Sequence, residues 1–360
     1  MKQGRTLNEL AAELTRQLDT KKDFIADTRS IAIIPASGLQ TEAGDTRPRL
    51  VIDNVGEFPV KDLALSQMGE RAGIHASYLG KMRDEAPQLL ATNLNYWFKE
   101  QPESRLVRVL DEQNRAFLSD KFKRVDNYDL LNSVLPVVME YPGLKIRSCE
   151  VTERKMYVKV TFPHLTREIK SARVGDIVNG GLVFGNSEVG HGSYFVSPWA
   201  EYLWCTNGAF REGGKRWSHI GARQSMDSEQ VKFLSDETIA AAERFDLLAF
   251  KDHIKAALDQ DVFNKWVDKV QGTTSRKVEG DVPKAVEALA RTVGLTKAEG
   301  SDVLRHLIQG GDLSQYGLYN AVTRTAEDVT SYDRATEIEA IGQKVIDLSP
   351  RDWKVIAEAA

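Results

Sequence analysis

The chain contains 360 residues, of which 42% are hydrophobic and 28% are charged, and its formal net charge is −4. This composition supplies enough apolar side chains for a folded core, and the negative charge excludes a uniformly basic nucleic-acid coat protein. No apolar run approaches the ~20 residues that a membrane-spanning helix needs, and two cysteines are too few for a disulfide framework. We therefore expect a protein of a reducing, cytoplasmic compartment with no membrane partner.

The charges are distributed unevenly along the chain. Residues 105–223 contain 18 basic and 13 acidic side chains, a net charge of +5. Residues 224–360 contain 17 basic and 24 acidic side chains, a net charge of −7. A basic middle followed by an acidic end is typical of a polyanion-binding domain joined to an acidic region, although ordinary solvated surfaces vary by similar amounts.

The N-terminal part is predicted to be mainly helical. Thr6 and Glu9 have the spacing of a capping box, and leucines at helical spacing follow them. Residues 35–49 contain two prolines and two glycines, which favour a loop or arm. Residues 60–98 indicate two helical pieces broken near Gly73. The segment 66–82 (SQMGERAGIHASYLGKM) has helix-turn-helix spacing, which is more often that of a packed helical corner than that of a DNA-reading element.

The middle of the chain has the pattern of a sheet. Met156, Val158 and Val160 alternate with Tyr157 and Lys159, and this alternation predicts one strand of a hairpin. The predicted elements are strands at 105–110 and 115–125, a helix at 128–141, a hairpin of 144–151 and 156–162, and further strands around 180–181 and 193–196.

The pattern becomes helical after about residue 225 and stays so to the end. The polar, glycine-containing segment QGTTSRKVEGD near residues 271–282 predicts a linker. We therefore predict an α+β fold, with a mixed or antiparallel sheet, packed helices and a helical C-terminal region. The predicted divisions are an N-terminal helix and arm (1–59), an α+β core with a basic sheet (60–224), a helical extension of that core (225–270), the linker (271–282) and a helical C-terminal region (283–360).

Three features resemble catalytic motifs, and each lacks a part that the chemistry needs. Residues 185–192 (GNSEVGHG) have phosphate-loop spacing, but His191 and Gly192 replace the lysine and hydroxyl residue of that loop. Glu188 and His191 have a spacing used by helical metal sites, but the surrounding glycines oppose a helix. Cys205 would need an adjacent base to act as a nucleophile, and no motif supplies one. The sequence predicts no metal and no cofactor.

Cations interleaved with aromatic side chains give the strongest functional signal. In single-stranded nucleic-acid binding proteins, basic side chains contact phosphates and aromatic rings stack on bases. A sheet with one solvated face also carries lysine and arginine, so this alternative stays open. The candidate nucleic-acid-binding residues are Lys121, Lys123, Arg124, Lys145, Arg147, Lys155, Tyr157, Lys159, Lys215, Arg216, Trp217 and Arg223.

Four segments of the chain resemble signature segments of the phage/plasmid-like family catalogued as domain of unknown function 932. They are 115–127 (RAFLSDKFKRVDN), 185–193 (GNSEVGHGS), 205–208 (CTNG) and 320–324 (NAVTR). The resemblance covers roughly residues 60–345. The order of elements is also similar to that of single-strand annealing proteins, which oligomerise side by side and hold single-stranded DNA without covalent chemistry. The resemblance assigns no role to the matching residues Asn186, Ser187, Glu188, His191, Cys205 and Asn207.

The resemblance and the basic sheet together favour a single-stranded DNA-binding protein of a phage or plasmid in a bacterial host cell. Such a protein would promote strand annealing or recombination as a homo-oligomer, and it could contact a replication or recombination protein. One alternative is a regulatory or host-interaction protein whose acidic C-terminal region docks a basic partner or mimics DNA. A second alternative is a hydrolase or nuclease centred on Glu188, His191 and Cys205.

Overall fold

Helices and antiparallel sheets alternate along the chain in the computed structural model, which describes residues 1–35, 47–170, 175–203, 207–219 and 236–359. The elements of the first part are α1 (Leu7–Thr20), β1 (Lys22–Asp27), β2 (Ile31–Ile34), β3 (Arg49–Ile52), β4 (Gly56–Pro59), α2 (Asp62–Arg71), α3 (Ala76–Glu85), α4 (Pro87–Glu100), β5 (Ser104–Leu110), β6 (Gln113–Ser119) and α5 (Asn127–Met139). The elements of the second part are β7 (Lys145–Val151), β8 (Met156–Glu168), β9 (Ile177–Asn186), β10 (Tyr194–Tyr202), β11 (Gly208–Phe210), β12 (Lys215–Trp217), α6 (Asp236–Ala257), α7 (Gln260–Gly272), α8 (Val282–Val293), α9 (Lys297–Gly310), α10 (Gln315–Thr325), α11 (Tyr332–Ile346) and α12 (Pro350–Ala357). The predicted α+β class is confirmed.

The large sheet has the strand order β11-β10-β9-β8-β7, and β12 also pairs with β10. The predicted hairpin forms its β7 and β8 strands, with Cys149 opposite Val158 and a register shift between Ile146 and Ser148. Because side chains alternate along a strand, Met156, Val158 and Val160 share one face. They are fully buried in the apolar cluster that also contains Leu10 of α1 and Phe250 of α6.

The opposite face of the large sheet is covered by α11. Tyr157, Phe195 and Trp199 lie on this face and form an apolar cluster with Tyr332 at the start of α11. We call this surface the covered face. The sheet is therefore buried on both sides, whereas the sequence predicted a basic face open to solvent.

The N-terminal residues pair with the edge of the large sheet. The Arg5 amide donates to the Cys149 carbonyl at 2.6 Å, and the Cys149 amide donates back to the Arg5 carbonyl at 3.0 Å. Thr6 then caps α1, and both bonds of the predicted capping box are present. Residue 5 is thereby fixed in an extended position beside β7, directly before the first helix.

Two smaller antiparallel sheets have the orders β1-β5-β6 and β2-β3-β4. Asp111 and Glu112 join β5 to β6 and adopt φ angles of 52° and 56°. Positive φ at both central residues matches the right-handed twist of a hairpin.

The segment 66–82 forms a corner between α2 and α3. Gly73 turns the chain with φ 69°, and Leu79 packs so closely on Gly69 that an added Cβ would lie 2.6 Å from its Cδ2 atom. The basic side chains of α3 have acidic neighbours, since Lys81 lies 3.8 Å from Glu85 and Arg83 lies 2.7 Å from Asp84. The helical corner is confirmed, and a DNA-reading role for α3 stays a prediction.

The C-terminal helices share the core of the large sheet. One apolar cluster extends from Leu10 to Ile356, so the described residues 236–270 and 283–359 share the core of the sheet. Within the predicted linker, the Val278 amide donates to the Leu313 carbonyl at 2.9 Å and the Gly280 amide donates to the Ala357 carbonyl at 2.7 Å. These contacts are not those of a free linker. Within the described ranges, every helix is too short or too polar to span a bilayer.

Candidate functional site

Lys159, a predicted phosphate contact, is fully buried beneath α11. Its Nζ atom donates to Glu339 Oε2 at 2.7 Å, and both side chains are 0% exposed. The indole of Trp199 donates to the same carboxylate oxygen at 3.2 Å, and the Lys159 ammonium lies 4.9 Å from the centre of the Tyr332 ring. Burial lowers the pKa of Lys159, while Glu339 opposes that shift. In this arrangement the ammonium binds a carboxylate of the chain itself and cannot reach a phosphate.

Two other predicted contacts are buried, and a third is bound to a carboxylate of the chain itself. Tyr157 donates to Asp333 Oδ1 at 2.8 Å and is 3% exposed. Trp217 is 8% exposed and stacks on Tyr194 at 5.8 Å between ring centres. Arg147 donates through Nε to Glu201 at 2.7 Å. The prediction that these side chains present free cations and stacking faces is corrected, because Tyr157 and Trp217 are covered and the Arg147 guanidinium, which is 34% exposed, is bound to Glu201.

The remaining predicted contacts are dispersed. Lys123 binds Asp246 at 2.8 Å and is largely buried. Lys121 and Arg124 are exposed in the loop after β6, and Lys145 is exposed at the start of β7. Arg223 and Cys205 lie outside the described residues.

A cationic cluster does form where β8 begins, beside the turn between β9 and β10. Burial lowers the pKa of Lys155, and the positive charges of Arg216 and Arg154 lower it further. Burial also lowers the pKa of His191, again with contributions from Arg154 and Lys155. Asp333 and Glu337 on α11 act in the opposite direction on both groups. Two predicted contacts, Lys155 and Arg216, therefore lie near each other.

The turn is shaped to receive the Lys155 side chain. Gly192 has φ 141°, a conformation that favours glycine. A Cβ atom at this position would lie 3.2 Å from Lys155 Cε, so a larger residue would press on that side chain. Gly192 of the GNSEVGHGS segment therefore leaves room for the Lys155 side chain. In a phosphate loop, by contrast, the backbone N–H groups would surround a bound phosphate.

A groove continues the cationic cluster between β10, β12 and α11. Its cavity has a volume of about 240 Å³, and we call it the α11 groove. Four basic side chains and one acidic side chain line it: Arg211, Lys215, Arg216, Lys344 and Asp347. Asp347 already accepts from Lys269 at 2.7 Å and from Gln343 at 2.9 Å. The groove consequently has more positive than negative charge.

Arg211 is a buried guanidinium with no carboxylate partner among the described residues. It is 3% exposed and donates to the carbonyl oxygens of Trp199 at 3.1 Å, Ala257 at 3.3 Å and Gly181 at 3.4 Å. Its guanidinium carbon lies 5.2 Å from the centre of the Phe263 ring. Burial lowers the pKa of Arg211 to about 10. Arg211 therefore adds positive charge to the wall of the groove, while its N–H groups are bound to backbone carbonyls.

Glu188, the first residue of the predicted catalytic pair, holds two sheets together. Its Oε2 atom accepts from Arg115 at 2.7 Å, and its Oε1 atom accepts from the Asn127 amide at 2.5 Å. The Glu188 carbonyl accepts from Arg108 at 2.9 Å. Among the described residues, no group of His, Cys, Asp and Glu side chains is arranged to hold a metal ion.

The other signature residues also join segments of the fold. Asn186 donates to the Val125 carbonyl at 2.7 Å. Ser187 donates to the Arg154 carbonyl at 2.8 Å and accepts from the His191 amide at 2.9 Å. Asn207 is buried and donates to Thr323, so the CTNG segment contacts the NAVTR segment. The first two signature segments likewise contact each other through Glu188. Their roles in this structure are contacts within the chain.

Sequence reasoning missed Lys344, Arg154 and the special environment of Arg211. Lys344 lies in a helix of mixed charge, and tertiary packing brings it to the groove. The local sequence pattern therefore did not indicate that it belongs to a binding site. Arg211 stood beside Lys215 and Arg216 in the sequence, but its burial could not be inferred from that spacing.

Comparisons of the chain with protein-family models, with curated proteins and with solved structures give no match. The family resemblance stays a prediction.

Proposed function

We propose that the protein binds single-stranded DNA along a cationic rim that follows the α11 groove to the start of β8. The observation that carries this proposal is the excess of basic over acidic side chains lining the α11 groove, four against one, with Arg154 and Lys155 beside it. Within the described part of the chain, none of these side chains has an acidic group within ion-pair distance. The cationic rim consists of Arg154, Lys155, Arg211, Lys215, Arg216 and Lys344.

The rim favours contacts with phosphates over contacts with bases. Arg216 and Lys215 are exposed, and Arg216 also lies 5.8 Å from the centre of the Phe195 ring. The aromatic walls of the groove are mostly covered, since Phe195 and Phe210 are each 9% exposed. We therefore expect binding that depends steeply on salt and weakly on base sequence, because released counterions supply most of the free energy.

A role in strand annealing or recombination in a phage or plasmid belongs to the same proposal. Assembly as a homo-oligomer and contact with a replication or recombination protein are also part of this proposal. These parts rest on the resemblance of the sequence segments alone, and binding of a single strand is the step that supports all of them.

The test is a salt titration of oligonucleotide binding by fluorescence anisotropy. The rim variant Lys215→Gln/Arg216→Gln/Lys344→Gln removes three exposed cations. If each contacts a phosphate, the slope of log affinity against log salt should fall by about two, at roughly 0.7 per contact on single strands.

The matched control removes three cations that the sequence predicted and that lie outside the rim. Lys121→Gln/Arg124→Gln/Lys145→Gln makes the same change in net charge, and its slope should equal that of the unmodified protein. An equal decrease of this slope in both variants would mean that binding depends on overall charge and not on the rim. An unmodified protein that binds no oligonucleotide would contradict the proposal.

A further inference from the structure

A second cavity lies on the other side of the start of β8, between α1, the β5–β6 hairpin and the start of α5. Its volume is about 190 Å³, and we call it the junction cavity. Arg115, Asn127 and Glu188 line it together with the turn residues Arg154 and Lys155. Arg115, Asn127 and Glu188 come from the two longest signature segments, so the cavity lies where those segments meet.

Each acidic side chain that lines the junction cavity already has a basic partner. Arg16 binds both Glu13 at 2.9 Å and Asp111 at 2.6 Å. Lys61 binds Glu153 at 2.6 Å. The fourth acid, Glu188, binds Arg115 at 2.7 Å. Because two of these carboxylates share Arg16, the charge balance is that of the whole lining, which has five basic and four acidic side chains and a net charge of +1.

Three basic side chains at the cavity have N–H donors without a carboxylate acceptor among the described residues. The Arg115 side chain is 10% exposed, and its buried Nε–H has no hydrogen-bond acceptor among the described residues. A buried donor without an acceptor is unfavourable, and structures retain one mainly where a ligand or water completes it. Arg154 and Lys155 line the same space, and in the described ranges no carboxylate lies within ion-pair distance of either.

We propose that the junction cavity binds a phosphate group, with the Arg115 Nε–H, Arg154 and Lys155 as its donors. A phosphate offers several strong acceptor oxygens to donors that approach from different sides, and arginine is suited to it by its planar fork of N–H groups. The group could belong to a free phosphate or mononucleotide, or to the phosphorylated end of a nucleic-acid strand. The site does not require the proposed strand binding, although Arg154 and Lys155 also belong to the cationic rim.

The direct test follows the arginine Nε–H resonances by NMR while inorganic phosphate is added at constant ionic strength, with chloride as the comparison ion. The Arg115 resonance, assigned through Arg115→Lys, should shift and saturate with phosphate and stay in place with chloride. Calorimetry should give at least a tenfold weaker phosphate affinity for Arg115→Lys, because the ammonium can keep the Glu188 ion pair but lacks the Nε–H donor.

Two further variants keep the test independent of folding defects. Arg154→Gln changes an exposed side chain and should weaken phosphate binding severalfold. Arg124→Gln removes an exposed arginine outside both sites and should leave phosphate binding unchanged. If the unmodified protein shows no saturable shift, or if phosphate and chloride act alike, the inference is overturned.

Oligonucleotides with and without a terminal phosphate distinguish the two sources of the group. If the strand end is the ligand, the phosphorylated oligonucleotide should bind more tightly, and Arg115→Lys should abolish the difference. If both oligonucleotides bind equally while free phosphate still saturates the site, the ligand is a small phosphate compound. Phosphate binding without any oligonucleotide binding would remove the proposed function and leave this inference standing.

Discussion

The covered face and the cationic rim carry similar side chains, but they differ in what neutralises them. On the covered face, the buried Lys159 binds Glu339 of α11. Along the rim, Arg211, Lys215 and Lys344 have no carboxylate partner in the described part of the chain. Lysine and arginine on a strand therefore indicate a binding surface only after the residues packed over them are known. Within the acidic C-terminal region, Glu339 neutralises the covered lysine directly, whereas Asp333 and Glu337 act on Lys155 of the rim from beyond ion-pair distance.

The largest expected effect comes from breaking the buried pair on the covered face. Glu339→Ala should lower the free energy of unfolding by about 3–5 kcal/mol, because it leaves the Lys159 ammonium buried without a counter-charge. Urea unfolding followed by circular dichroism measures this change.

Two comparison variants sharpen that result. Glu337→Ala, an exposed position on the same helix, should cost about 1 kcal/mol or less. The double replacement Lys159→Met/Glu339→Leu should recover most of the loss, since it removes both charges together. A small effect of Glu339→Ala would mean that water reaches the covered face.

A smaller effect is expected at Tyr157, which the sequence predicted as a base-stacking residue. Tyr157→Phe keeps the ring and removes the hydrogen bond to Asp333, so the free energy of unfolding should fall by about 1 kcal/mol. Oligonucleotide affinity should not change, and exposed Tyr78→Phe serves as the stability control. Weaker oligonucleotide binding by Tyr157→Phe would show that the covered face opens to the strand.

The smallest effect concerns His191 beside the rim. Its pKa is lowered by burial and by Arg154 and Lys155, so the imidazole gains its proton only below its ordinary value of about 6.5. Oligonucleotide binding should strengthen as the pH falls through that region, by about threefold or less for one exposed charge. His191→Gln should remove this gain, and an identical pH profile in both proteins would contradict the assignment.

The sequence predicted the local elements of the sheet better than their surroundings. Alternation placed Tyr157 and Lys159 together on one face, as observed. That face is covered by α11, whose Glu339 lies 180 residues after Lys159 in the chain. No local sequence pattern encodes a contact over that separation. The helix break at Gly73 was predicted, but a second break before Pro87 was not, although proline is favoured in the first turn of a helix.

The candidate site was predictable only in part for the same reason. Lys155 and Arg216 were identified from charge and spacing, and the fold brings them near each other. Trp217 was expected to be available to a base, but α6 covers it through Phe250 at 4.9 Å between ring centres. Segment 271–282 was interpreted as a linker from its polar composition, yet its backbone amides bind carbonyls of Leu313 and Ala357. Composition indicates which segments tend to be solvated, but tertiary packing decides which residues they contact.

The short pairing of Arg5 with Cys149 limits how copies of this protein could assemble. An unpaired outer strand can template addition of a strand from another molecule. Here the N-terminal segment occupies part of the β7 border, and β11 and β12 occupy the β10 border at the far side. Strand addition at the β7 border is therefore interrupted at Cys149, and the opposite border consists of two strands of three residues each. At that far border a second copy could form only a short backbone ladder, so a ring or filament joined there would also need contacts between side chains.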